Sequence, residues 1–362
     1  MRNCKTIMQI LTHQCNLKCS YCYEHKTKQS IAQESDVKEY LAREITKASE
    51  DRYTDFEVHF MGGEPLMQFS TIRNVSEWLW SSTWPIPIKQ IFVPTNGTLM
   101  TDNKKNWFVT NREKICLGLS FDGDNFMQNT NRSNSATSID LSFFSSTWPT
   151  QSVKMTISPN TIGQLSAGIK YLHDVGFPYV VADLAVGSNI EWEPKHLNSF
   201  NNELQKLIAF QLERPETHIT SLLDINLHGL ASYPKNKKHC FCGENLICIE
   251  TDGQIYPCHI FAPITAGEKR AKESIELYDF KNRDAFTPTV CSACDLEPIC
   301  IICPGMNFIS YNSFLQQSSF HCQAFKIQFL NACKLQYLLA KKENDTAEMD
   351  FIDNITNTYN YE

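Results

Sequence analysis

Three cysteines near the start of the chain, Cys15, Cys19 and Cys22, have the type and spacing that most directly imply chemistry. They stand in the run Cys15-Asn16-Leu17-Lys18-Cys19-Ser20-Tyr21-Cys22-Tyr23. Three thiolates so close together wrap one corner of a cluster, each on a different iron. A cubic 4Fe–4S cluster is usually held by four cysteines. A three-cysteine loop therefore leaves one iron open to a small molecule that offers an amine and a carboxylate. Read alone, the loop is also compatible with a zinc knuckle or with three buried cysteines. A structural zinc wants four ligands, however, and no obvious fourth lies close in sequence.

A second group runs Cys242-x5-Cys248-x9-Cys258, then Cys291-x2-Cys294-x5-Cys300-x2-Cys303, then Cys322, with Cys240 beside Cys242. Eight cysteines suit two fully ligated clusters. In isolation the paired Cys-x2-Cys spacings would equally suit two zinc sites. Cys4, Cys116 and Cys333 fall outside both groups and are expected to be small buried hydrophobes. Fifteen cysteines in all is a high count. The first residues lack the apolar core and cleavage site of a signal peptide, so the chain is expected in the cytoplasm, where disulfides are rare and cysteines read as metal ligands.

The elements that must position these residues alternate strand and helix from residue 5 to about 212. Strands are expected at Thr6–Thr12, Phe56–Phe60, Ile91–Val93, Leu117–Phe121, Val153–Ile157 and Tyr179–Leu184. Helices are expected from a Ser35 cap through Ile45, around Val75–Leu79, and over 103–109, 162–175 and 197–210. Repeated units of this kind give a parallel sheet with helices outside, and about six units fit a partial, open (β/α)6 barrel. Chemistry in such barrels sits at the carboxyl ends of the strands. Cys15 follows the first strand there, Met61-Gly62-Gly63-Glu64-Pro65 the second, Thr95-Asn96-Gly97-Thr98 the third, and Ser120-Phe121-Asp122-Gly123 the fourth. That agreement outweighs any one motif. Alone, each would read as an ordinary strand-end turn.

The domain boundaries expected are a barrel over 1–212, a helical linker over 213–236, a small cysteine-rich domain over 237–335, and a polar tail over 336–362 that could fray. Turn signals stand at Asp252-Gly253 and Pro304-Gly305, and the serine- and asparagine-rich stretch 129–146 reads as a surface loop. With 42% hydrophobic and 20% charged residues the chain is of ordinary globular composition. Its net charge of −7 gives no bulk attraction to nucleic acid or an anionic membrane. No apolar run approaches the ~18 residues that span a bilayer.

The cysteine loop, with an aromatic just before its third cysteine, resembles the signature of radical S-adenosylmethionine (radical SAM) enzymes. The C-terminal pattern resembles the SPASM domain of the peptide- and protein-modifying branch. The resemblance covers roughly residues 5–325. It implies that Cys15, Cys19 and Cys22 hold the catalytic 4Fe–4S cluster, whose open iron binds S-adenosylmethionine. It implies that the backbone at Tyr21 meets the adenine and that Gly62, Gly63, Glu64 and Pro65 hold the methionyl amine. Glycines allow close approach there, and a carboxylate can pair with an ammonium. Ser120 matches a ribose contact, Arg132 a carboxylate contact, and Asn96 lies near the cofactor face. The bland readings are a turn serine, a solvated arginine and a turn asparagine. Two auxiliary 4Fe–4S clusters are implied, one on Cys242, Cys248, Cys258 and Cys303, the other on Cys291, Cys294, Cys300 and Cys322. Two residues, Ile301 and Ile302, separate Cys300 from Cys303 where the family usually has three.

The resemblance implies hydrogen abstraction from a peptide by a deoxyadenosyl radical. The expected outcome is an oxidative crosslink in a ribosomally made peptide, with electrons from a flavodoxin or ferredoxin. The sulfatase-maturating branch carries an aspartate after the cysteine matching Cys258. Here that residue is His259, which counts against formylglycine formation, although a histidine can itself take a proton near neutral pH. The loop starts at residue 15, which leaves no room ahead of it for a leader-binding domain. A peptide would then bind the barrel mouth directly or through a separate protein. Two further readings are a non-catalytic electron-transfer protein, which would not need the Gly62–Pro65 segment, and a zinc-held binding module.

Overall fold

The computed structural model describes residues 3–24, 30–187, 189–234 and 240–358. In chain order the elements are β1 (Cys4–Thr12), α1 (Glu34–Glu50), β2 (Asp55–Gly62), α2 (Phe69–Ser81), β3 (Ile88–Thr95), α3 (Asp102–Thr110), β4 (Ile115–Leu119), α4 (Asn125–Asn131), α5 (Leu141–Thr147), β5 (Val153–Ile157), α6 (Leu165–Asp174), β6 (Val180–Leu184) and α7 (Pro194–Glu213). There follow α8 (Gly229–Ser232), β7 (Leu246–Ile249), β8 (Ile255–Tyr256), α9 (Pro263–Ala266), α10 (Glu268–Leu277), α11 (Thr289–Ser292), α12 (Pro304–Tyr311), α13 (Ser319–Glu343) and α14 (Thr346–Thr358). The strand–helix alternation through β6 and α7 is the expected α/β pattern. No described helix is long and apolar enough to cross a membrane.

Two compact units divide the chain, and neither is one continuous segment. The first holds Met1–Ser120, Ser135–Gln151 and Cys240–Asn282. Its sheet has the order β4-β3-β2-β1-β7-β8. Strands β1 to β4 pair in parallel, and Ile7, Val58, Phe60, Ile91, Val93 and Ile115 are fully buried. Helices packed on a parallel sheet bury it on both faces, which favours such apolar, β-branched runs. The short apolar run Leu246–Ile249 adds in parallel to the free edge of β1, with Met8 opposite Cys248, and β8 folds back on it antiparallel. An open edge is a ready template for pairing. The first segment of the cysteine-rich region thus continues the sheet that carries the Cys15 loop. The turn expected at Asp252-Gly253 joins these strands: Gly253 has φ +84°, and a Cβ there would lie 2.5 Å from the Tyr40 ring.

The second unit holds Phe121–Asn134, Ser152–His239 and Arg283–Glu362. Strands β5 and β6 pair in parallel, Val153 opposite Val180. The buried Asp122 carboxylate accepts the Thr156 backbone N–H at 2.8 Å, which ties the chain before α4 to β5. A buried cluster of Ile225, Leu227, Leu296, Ile299, Phe329, Ala332, Cys333 and Ile352 joins α13, α14 and the loop around Leu296.

Several local expectations change. The N-cap of α1 is Gln33, without a side-chain bond; Ser35 lies inside the helix, its hydroxyl on Asp36. The stretch 129–146 is not all loop, because Asp140 caps α5 by accepting the Phe143 N–H and Phe143 and Phe144 are buried. Strand β4 starts at Ile115 and stops at Leu119, so Ser120 and Phe121 lie beyond it. Pro304 opens α12 rather than a turn, since its missing N–H costs nothing at a first helical position. The C-terminal stretch does not fray through its length: α14 docks by Ile352, 2% exposed.

Candidate active site

The end of β1 and the glycine turn after β2 touch backbone to backbone. Gly63 donates its N–H to Thr12 O at 2.9 Å, and Glu64 donates to Gln14 O at 2.8 Å. A Cβ on Gly62, which has φ +155°, would lie 2.4 Å from Thr12 O. One on Gly63 would lie 2.4 Å from Gln14 O. No larger residue fits at either place without moving the start of the cysteine loop. The three thiols Cys15, Cys19 and Cys22 are half-buried. Leu17 donates its N–H to Cys15 Sγ at 3.5 Å, inside the loop, and Cys22 N donates to Cys19 O at 3.2 Å. Tyr21 is buried.

Glu64 turns into the protein. It is 1% exposed. Its Oε1 accepts from Leu66 N at 3.0 Å and from the Thr95 hydroxyl at 2.8 Å. Its Oε2 accepts from Asn96 N at 2.8 Å. Burial raises its pKa, while the three donors and Lys104 pull it down. The Asn96 amide donates to Asn16 Oδ1 at 3.0 Å, Asn16 donates to the Thr98 hydroxyl at 2.7 Å, and Thr98 N donates back to Asn96 Oδ1. Glu64, Asn96 and the Cys15 loop are thereby brought together through Asn16, Thr95 and Thr98, which the sequence reading named within their motifs but gave no role of their own. Their signal was present: polar residues at successive strand ends, where a parallel sheet places its site. Ser120 belongs to the same unit, its N–H on Thr95 O at 2.9 Å.

Arg132 lies in the second unit. Its Nε is 3.1 Å from Asp122 Oδ1, and the side chains are 9% and 0% exposed. The guanidinium is thus an internal ion-pair partner and not a solvated surface charge.

The candidate auxiliary ligands divide between the units. Cys242, Cys248 and Cys258, all buried, belong to the first. Cys248 is held far above the usual thiol range by burial, then by Glu250 and Cys258. Cys240 donates to Cys242 Sγ at 3.4 Å, and Cys242 is the deeper of the two. Cys303, exposed, belongs to the second unit. Cys291, Cys294, Cys300 and Cys322 all belong to that unit. Burial pushes the Cys300 thiol up, and Cys291, Cys322 and Cys294 add to the effect through space. Cys291, pushed up to about 11 by burial, also feels Cys322 and Cys294. Among the described residues no three His, Cys, Asp or Glu side chains close on a single metal ion; a cubic cluster instead takes its thiolates at separate corners. A donor set of thiols alone fits iron–sulfur chemistry. Cys116 and Cys333, each pushed up to about 12 by burial, are inert interior thiols.

His259 follows Cys258. Its Nε2 lies 3.3 Å from the Tyr23 hydroxyl, and Tyr23 follows Cys22. Burial pushes the imidazole pKa down to about 4, so the ring is neutral at pH 7 with little affinity for a proton. A second pair, His13 Nε2 to Glu250 Oε1 at 2.8 Å, is almost wholly buried.

Residues 10–125 match the family described as the Radical SAM superfamily. The chain is similar to the uncharacterized protein MJ0907 of Methanocaldococcus jannaschii, 24% identical over 303 residues that span 78% of this chain and 94% of that one. It is also similar to the cysteine-type anaerobic sulfatase-maturating enzyme of Clostridium perfringens, 23% identical over 282 residues, 68% of this chain and 72% of the relative. Among solved structures, native anSMEcpe with bound AdoMet has a TM-score of 0.68 at 20% identity, covering 90% of this chain and 97% of that one. Streptococcus suis SuiB bound to precursor peptide SuiA has a TM-score of 0.57 at 16% identity, covering 87% and 75%. At these identities the structural likeness is one of fold. The three-cysteine loop and the glycine turn set against it both lie inside the segment that matches the Radical SAM superfamily.

Proposed function

We propose that this enzyme modifies a peptide, forming an oxidative crosslink in a ribosomally made precursor. The observation that supports the reading is the backbone contact of the cysteine loop with Gly62 and Gly63, which holds the glycine turn against the loop to which the catalytic cluster is assigned. We assign the catalytic 4Fe–4S cluster to Cys15, Cys19 and Cys22. Two auxiliary clusters are assigned, to Cys242, Cys248, Cys258 and Cys303 and to Cys291, Cys294, Cys300 and Cys322. When bound, the catalytic cluster and S-adenosylmethionine supply a 5′-deoxyadenosyl radical that takes a hydrogen atom from the peptide.

The residues here do the rest. The resemblance assigns Tyr21, Asn96, Ser120 and Arg132 to the cofactor, while Glu64 braces the Gly62–Pro65 turn from inside. Closing the crosslink releases one electron and one proton from the peptide radical. The auxiliary cysteines hold the acceptors for the electron, and His259 offers a neutral imidazole. A flavodoxin or ferredoxin supplies the reducing electron in the cytoplasm. The boundaries proposed are 1–212 for the radical domain, 213–236 for the linker, 237–335 for the auxiliary-cluster region and 336–362 for the tail.

A second reading, formylglycine formation on a sulfatase, is favoured by the fold likeness that spans 97% of anSMEcpe. His259 stands against it. The test is anaerobic reconstitution with S-adenosylmethionine and a strong reductant, reading 5′-deoxyadenosine against a Cys15, Cys19 and Cys22 to alanine variant. Product from wild type alone supports the reading. Its absence from a cluster-loaded wild type given candidate peptides returns the chain to an electron carrier. A peptide product lighter by two hydrogens and inert to aldehyde reagents marks a crosslink, and an aldehyde-reactive product marks formylglycine.

A further inference from the structure

The catalytic loop is gripped at both ends by one hairpin region. Two residues before Cys15, His13 pairs with Glu250, both side chains under 5% exposed and the contact 2.8 Å. One residue after Cys22, Tyr23 meets His259 at 3.3 Å. Glu250 lies two residues after Cys248, and His259 directly follows Cys258. The four contacting residues and the two auxiliary cysteines all belong to the first compact unit. Strand β7, which carries Cys248, is also hydrogen-bonded along β1, which leads into the loop. Each grip leaves one buried polar atom, Glu250 Oε2 and His259 Nδ1, with no hydrogen-bond partner among the described residues. Leaving such atoms buried and unsatisfied is costly.

We propose that His13 and Tyr23 are positioning residues: through Glu250 and His259 they lock the catalytic loop to the segment that binds the first auxiliary cluster. S-adenosylmethionine affinity at the open iron then depends on that auxiliary cluster being in place. A cluster on Cys248 and Cys258 fixes both ends of the segment from Glu250 to His259. Without it the segment loosens, and the loop loses two anchors that flank its three ligands. Such coupling is reciprocal, so bound S-adenosylmethionine also slows loss of the auxiliary cluster. The inference rests on the ligand assignments proposed above for the catalytic loop and for Cys248 and Cys258.

The test is spectroscopic. Only a cluster with an open iron changes its electron paramagnetic resonance spectrum when S-adenosylmethionine binds, so a titration of reduced protein reads affinity at the catalytic site alone. Tyr23→Phe combined with Glu250→Leu is expected to weaken that affinity roughly five-fold per bond lost, with catalytic-cluster iron retained. Cys258→Ala is expected to remove about four irons and to weaken the affinity similarly. In the Tyr23→Phe, Glu250→Leu background Cys258→Ala should add little, because the connection is already cut. Tyr23→Phe alone, which removes one hydroxyl, serves if the combined variant does not fold. Unchanged affinity in these variants, or effects that multiply independently, overturns the coupling while leaving the catalytic assignment intact. A wild type with no spectral response overturns the catalytic assignment itself. Full iron retention in Cys258→Ala removes the auxiliary ligand, and the coupling with it.

Discussion

The backbone N–H of Asn96 donates to Glu64 Oε2 at 2.8 Å. The last residue of β3, Thr95, donates its hydroxyl to the other oxygen. The carboxylate thus staples the ends of two neighbouring strands from within. In Glu64→Gln an amide N–H must face a donor whichever way the side chain is turned. The expected cost is about 1–3 kcal/mol, read as a lower unfolding midpoint in the cluster-free protein. An unchanged midpoint would mean that the carboxylate is free to serve the cofactor directly.

Glu64 also gives a pH dependence. Burial raises its pKa above the ordinary carboxylate value, outweighing its donors, so folding favours the protonated form. Its contribution is then whole below the ordinary value and is lost as pH rises through the raised one. Glutamine does not titrate. The stability of wild type relative to Glu64→Gln, from urea midpoints, is expected to decline as pH rises above the ordinary carboxylate range. A rise in stability there would mean that the three donors hold the group ionised instead.

Gly63→Ala puts a methyl 2.4 Å from Gln14 O. That carbonyl already accepts the Glu64 N–H, so relief must come from the cysteine loop moving away. Overpacking of this kind costs about 1–3 kcal/mol, and here it falls on the ligand loop. The expected result is protein that folds but loses most S-adenosylmethionine response and 5′-deoxyadenosine formation. Near wild-type turnover would mean that the turn and the loop adjust independently.

The sequence and the structure agree where the signal is local. The Cys15 loop, the Gly62–Gly63 turn and the first six strands are read from spacing and periodicity because each is set by neighbours in the chain. Three things escaped. Strand β7 is a four-residue run with no clear alternation, and only the open edge of β1 makes it a strand. The His13–Glu250 pair joins residues 237 positions apart, which no local pattern encodes. The direction of Glu64 was also hidden. Composition places a carboxylate at the strand end, but the donors of Leu66, Thr95 and Asn96 decide that it points inward.

Arg132 separates a structural from a cofactor role. Its partner Asp122 is 0% exposed, accepts the Thr156 N–H and takes a further bond from Asn131 at 3.1 Å. Removing the guanidinium leaves a buried carboxylate without its counter-charge, which costs about 3–5 kcal/mol. Arg132→Ala is expected to show that loss in cluster-free unfolding, whereas Arg132→Ala together with Asp122→Asn should recover much of it. Loss of S-adenosylmethionine affinity without loss of stability would place Arg132 on the cofactor alone.

Iron content tests the cysteine assignments together. Three clusters require about 12 irons per chain. Replacing Cys291, Cys294 and Cys300, which influence one another through space, is expected to remove about four of them and leave the S-adenosylmethionine response of the catalytic cluster in place. Cys116→Ala and Cys333→Ala should remove none, since burial alone sets those thiols, with the backbone of Cys333 opposing slightly. Their cost is one of packing: Cys333 lies in the buried cluster with Phe329 and Ile352, so its truncation should lower the unfolding midpoint while every iron is retained. Iron loss from Cys333→Ala, or a fully loaded wild type with only about four irons, would require the ligand sets to be redrawn.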